Sequence, residues 1–106
     1  MKTKKRKYYG DPRFYQILDE LAELHSCKNH DYAGEDPLSN FRLAERMGIP
    51  AWKGCLVRMS DKISRLWSFA KKGKLEVKDE SVIDTAKDLA VYSILMILLY
   101  LEDKKK

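Results

Sequence analysis

A chain of 106 residues, 44% of them hydrophobic, is long enough for one buried core, too short for two ordinary domains, and too apolar for a disordered polymer. Its formal charge of +5 comes from its ends: of 21 Lys and Arg, five lie in Lys2–Lys7 and three are Lys104–Lys106, leaving 13 against all 16 Asp and Glu in residues 8–103. A net acidic body does not support a DNA-binding face, so residues 1–10 and 104–106 read as solvated basic tails around a single domain, 11–103.

The first element is "DPRFYQILDELAELHS". Asp11 is placed to cap it, Pro12 suits the first helical position, and Phe14, Ile17, Leu18, Leu21 and Leu24 recur at helical spacing, predicting an amphipathic helix that ends near Cys27. The next stretch, "KNHDYAGEDPLSNF" (residues 28–41), is longer and chemically richer than a plain helix connection requires, since such connections usually run about 2–8 residues. It is the first candidate for a ligand loop. Ser39 then reads as the cap of a short helix stopped by Gly48 and Pro50.

A second long helix follows in "AWKGCLVRMSDKISRLWSFAKKG", with Trp52, Leu56, Met59, Ile63, Leu66, Trp67 and Ala70 at helical spacing and Gly73 as terminator. The third, "DESVIDTAKDLAVYSILMILLYLED", starts acidic and becomes almost continuously apolar over Leu89–Leu101. That run is shorter than the roughly 20 residues needed to cross a bilayer, so it is expected to be covered by protein instead. A helix apolar on all sides wants more than one neighbour, which predicts a homo-oligomer, with a dimer favoured. No segment alternates with a period of two. The expected fold is all-α: three long helices and one short helix in a bundle.

Several chemistries are disfavoured by the residues present. Cys27 and Cys55 have no CxxC or Cys/His zinc spacing, and His25 and His30 have no regular ligand spacing. There is no Gly-rich phosphate loop, GxSxG elbow or HExxH pair. The segment after the basic N-terminus lacks an apolar run, so a cytoplasmic location is expected.

Charged rows on two helices remain. Arg58, Lys62 and Arg65 at i, i+4 and i+7 put three cations on one face of the second long helix, suited to phosphates. Glu80, Asp84 and Asp88 stand in four-residue steps on the third, with Tyr92 continuing the row. Stacked carboxylates repel and need compensation. Either they pair with the cations of the neighbouring helix and merely fix its docking, or they hold Mg²⁺ that bridges to a substrate's phosphates. The loop fits the second picture: Asn29 and Asn40 suit a base or sugar edge, Tyr32 and Phe41 suit stacking, and Lys28 suits a phosphate. For either aromatic taken singly, a core anchor that staples the loop down is the more ordinary role of Phe41 and Tyr32.

Taken together, "KNHDYAGEDPLSNF", "RMSDKISRL" and "KDESVIDTAKDLAVYSIL" resemble the small phage and bacterial family called nucleotide modification associated domain, type one. The resemblance covers most of residues 11–100. It rests on a K-N-x-D-Y loop with a following N-F, a D-K-x-x-R-L helix and a D-E-x-x-x-D-T-x-x-D-L-A-x-Y helix, in that order. It implies a helical protein from a phage or prophage setting, associated with nucleotide metabolism or base modification. More remotely, the carboxylates are similar to those of all-α NTP pyrophosphohydrolases. Glu20 and Glu23 supply an E-x-x-E pair, while Glu80, Asp84 and Asp88 replace the usual E-x-x-D with four-residue steps.

The sequence therefore leads to a nucleotide-binding helical protein with Lys28, Asn29, Asp31, Tyr32, Asn40, Phe41, Arg58, Lys62, Arg65 and Tyr92 around the ligand. Glu80, Asp84 and Asp88 are the expected catalytic and Mg²⁺-binding residues of a nucleotide pyrophosphohydrolase. The alternatives are a non-catalytic protein that sequesters a nucleotide-derived signal, cyclic ones included, and a structural or adaptor subunit. No membrane partner is expected.

Overall fold

The computed structural model describes residues 7–31, 38–73 and 81–106, and only the backbone of residues 29–31 and 40. It is all-helical, with no strand among the described residues. Two compact units divide the chain, Met1–Asp31 and Tyr32–Lys106.

The first unit contains α1, Pro12–Asp31. Its start follows the sequence expectation. The Arg13 amide donates to Asp11 Oδ1 at 2.9 Å, so Asp11 satisfies an amide that has no partner within the helix. The Arg13 guanidinium also grips that carboxylate at 2.6 Å and holds its pKa below the ordinary value. Tyr8 stacks on Tyr15, whose hydroxyl donates to the Tyr9 carbonyl at 2.7 Å, tying the preceding segment to the first turns. The far end corrects the expected boundary: α1 runs through Asp31, four residues past Cys27. Lys28–Asp31 contain neither Gly nor Pro, and nothing in their chemistry stops a helix already under way. Residues 28–31 of the expected loop are thus helical.

The second unit is built on α3, Ala51–Lys72, and α4, Val82–Lys104, preceded by α2, Ser39–Arg42, and a 3₁₀ turn over Leu43–Met47. The single short helix expected here is therefore an α turn tightened into 3₁₀. Ser39 does not cap it. Leu38 holds that position, and its side chain has no group to cap the helix. Gly48 ends the turn at φ 78° and Gly73 ends α3 at φ 76°, left-handed conformations that glycine adopts without strain.

α4 begins with a side-chain cap. Ser81 Oγ accepts the Asp84 amide at 3.0 Å, and Asp84 is the acidic residue of the first turn. The helix thus starts after Glu80, which lies outside the described residues, so the expected three-step carboxylate ladder is represented on α4 by Asp84 and Asp88 alone.

α3 and α4 run antiparallel: Trp52 meets Tyr100, Cys55 meets Tyr92 and Lys62 meets Asp88. Their seam is closed by Cys55 and Leu99, which have almost no exposed surface, together with Phe41, Ala51 and Leu95. Thr85, near the start of α4, is also buried, and both it and Cys55 find a backbone partner. Thr85 Oγ1 donates to the Ser81 carbonyl at 3.1 Å and the Cys55 thiol to the Tyr92 carbonyl at 3.3 Å. Burial pushes the Cys55 thiol pKa up, against a weaker pull from Arg58.

The apolar run of α4 is only half covered. Leu95 and Leu99 are buried, whereas Ile94, Ile97, Leu98 and Leu101, at i, i+3, i+4 and i+7, keep about half of their surface. No described helix is long and apolar enough to cross a membrane.

Removing the α4 cap by Ser81→Ala is expected to lower stability by about 1 kcal/mol, with Ser81→Asp retaining most of it, as read from urea melts. In native protein iodoacetamide should label exposed Cys27 and spare Cys55, with both labelled after denaturation; mass spectrometry decides.

Candidate functional site

The cationic row of α3 faces the acidic row of α4 across their seam. Lys62 Nζ lies 3.2 Å from Asp88 Oδ2, a pair whose side chains keep 15% and 34% of their surface. One turn toward the start of α3, Arg58 Nη2 donates to Tyr92 Oη at 3.4 Å and its guanidinium sits 5.8 Å from the centre of the Tyr92 ring. Tyr92 in turn receives the edge of Phe41, ring centres 5.8 Å apart. Phe41, Tyr92 and Arg58 thereby form one connected group, assembled from α2, α3 and α4, with the Lys62–Asp88 pair about one turn away along the same two helices. Arg65 lies exposed further along α3.

The carboxylates have ordinary structural employment. Asp84 sits where the helix macrodipole favours a negative charge, and Asp88 is neutralised by Lys62. Among the described residues no group of three His, Cys, Asp or Glu comes together as a metal site. Of the expected Mg²⁺ set, Asp84 and Asp88 are the members that the described residues include.

The remaining ligand candidates fall into two groups. Lys28 is exposed on the last turns of α1, as are Glu20 and Glu23 earlier on that helix. The side chains of Asn29, Asp31 and Asn40, and the whole of Tyr32, lie outside the described residues, as does Glu80. Phe41 is 8% exposed and belongs to the core. The core-anchor reading holds for this aromatic.

Phe41 and Arg58 also line a cavity of about 230 Å³, completed by Ala44, Met47, Ile49, Gly54 and Val57. The 3₁₀ turn forms one wall and the first turns of α3 the other. Gly54 permits the approach: a Cβ on it would stand 2.9 Å from the Ala44 Cβ. Of the lining residues only Arg58 is charged, and among the described residues no carboxylate pairs with it. Five of the seven lining residues escaped the sequence reading. An isolated Gly inside the pattern of α3 was the available signal, since such a glycine marks close packing.

The turn is fastened to the end of α4 as well. Arg42 pairs with Glu102 at 2.9 Å and Lys106 with Glu45 at 2.8 Å. Comparison with protein-family models, curated proteins and solved structures finds no match.

A double-mutant cycle on Lys62→Ala and Asp88→Ala should give a coupling of about 0.5–1 kcal/mol that shrinks in high salt, because both side chains keep contact with water.

Proposed function

We propose that this chain binds a nucleotide or nucleotide-derived anion on the α3–α4 face, with Arg58, Lys62 and Arg65 as its phosphate-facing row. One observation carries the reading: Arg58, a cation without a carboxylate partner among the described residues, stands at the junction of the Phe41–Tyr92 aromatic pair and an apolar cavity. Guanidinium beside aromatic surface is chemistry suited to a phosphorylated ring. The resemblance to the nucleotide modification associated family points the same way.

The finer reading, a Mg²⁺-dependent pyrophosphohydrolase, rests on Glu80, Asp84 and Asp88. The Lys62–Asp88 ion pair favours binding without hydrolysis, because it compensates the Asp88 charge with an ammonium group in place of a metal. Sequestration of an unaltered ligand is accordingly the second reading. The half-exposed stripe Ile94, Ile97, Leu98 and Leu101 supports self-association, proposed here as a homodimer.

A thermal-shift screen against nucleoside mono-, di- and triphosphates and cyclic nucleotides, with and without Mg²⁺, tests the proposal. A ligand at 100 times its Kd should add about 2.7 kcal/mol of stability. Arg58→Gln should reduce that shift while leaving the unliganded melting temperature nearly unchanged. Chromatography of each mixture separates the readings: Mg²⁺-dependent conversion to monophosphate supports hydrolysis, an unaltered stabilising ligand supports sequestration, and no shift from any nucleotide overturns nucleotide binding.

A further inference from the structure

The cavity between the 3₁₀ turn and α3 has a composition that limits what it recognises. Its volume of about 230 Å³ lies below the roughly 300–1,000 Å³ of sites that enclose a drug-sized ligand, so it has room for one ring and not for a whole nucleotide. The lining side chains of Phe41, Ala44, Met47, Ile49 and Val57 are apolar, and Arg58 is the one polar side chain among them. Met47 and Val57 are 79% and 63% exposed, so the cavity is a surface cleft whose mouth stays in water.

A nucleobase has apolar faces and a polar edge. Pressing the edge into such a lining would strip its hydrogen bonds without replacing them, a penalty that opposes binding. Laying a face against Met47, Ile49 and Val57 leaves the edge hydrated at the mouth. Arg58 at the rim then meets the ligand's anionic group through the guanidinium donors not used by Tyr92.

Building on the nucleotide reading, we infer that this cleft is a ring subsite that takes the face of a base and leaves its edge unread, so that it binds phosphorylated nucleosides with little regard to base identity. Selectivity comes from pairing one flat apolar face with one phosphate. Stacking of this kind is tolerant because every base has such a face.

Calorimetric titration of the intact protein with the monophosphates of adenosine, guanosine, cytidine and uridine, and with adenosine and ribose 5-phosphate, tests the inference. The four nucleotides should agree within about tenfold in Kd, while adenosine and ribose 5-phosphate each bind more than about tenfold more weakly. The Met47→Ala/Val57→Ala double variant changes two well-exposed side chains and is expected to fold normally, which circular dichroism checks. It should weaken the nucleotides by about tenfold and leave ribose 5-phosphate unchanged. A preference among bases larger than that, or ribose 5-phosphate matching the nucleotides, overturns the ring subsite while nucleotide binding stands. Failure of all four to bind removes this inference, and the nucleotide reading falls with it where the di- and triphosphates and cyclic nucleotides fail as well.

Discussion

The depth of the seam between α3 and α4 is the constraint on which the second unit depends. Cys55 is small enough for the two helices to approach closely there, and its thiol returns its hydrogen to the Tyr92 carbonyl across the seam. No buried side-chain nitrogen or oxygen is left without a partner among the described residues. A larger residue at Cys55 would separate the helices. With the seam closed, Tyr92 and Asp88 of α4 have no choice but to meet Arg58 and Lys62 of α3. The polar layer is thus a by-product of apolar packing.

Much of this was legible in the residues. The start of α1 and the stop of α3 are written in Asp11, Pro12 and Gly73, whose effects are local: a capping carboxylate, a preset φ and a left-handed turn. The same locality explains the misreadings. Lys28–Asp31 carry polar side chains that look like loop chemistry, but a helix continues through polar residues unless something breaks it. Ser39 has the right chemistry for a cap and the wrong backbone position for it.

For the site, the spacing arguments found the facing rows of α3 and α4, because the helical period is fixed and the residues share a face. They could not tell whether Lys62 spends its charge on Asp88 or on a ligand. The cavity was illegible for a different reason: Ala44, Met47, Ile49 and Val57 look like any apolar residues, and only the close passage of Gly54 over Ala44 turns them into a wall. Such an approach depends on tertiary docking, not on any local pattern.

The ion pairs Arg42–Glu102 and Lys106–Glu45 carry a consequence for how the cleft is assembled. Each spans about sixty residues of sequence, so each needs the α3–α4 hairpin in place before its charges can find one another. The short helix and the 3₁₀ turn that wall the cleft are thus held from two sides, by the local approach of Ala44 to Gly54 of α3 and by charges at the far end of α4, so that fraying of the C-terminal turns would loosen one hold on the cleft and leave the other.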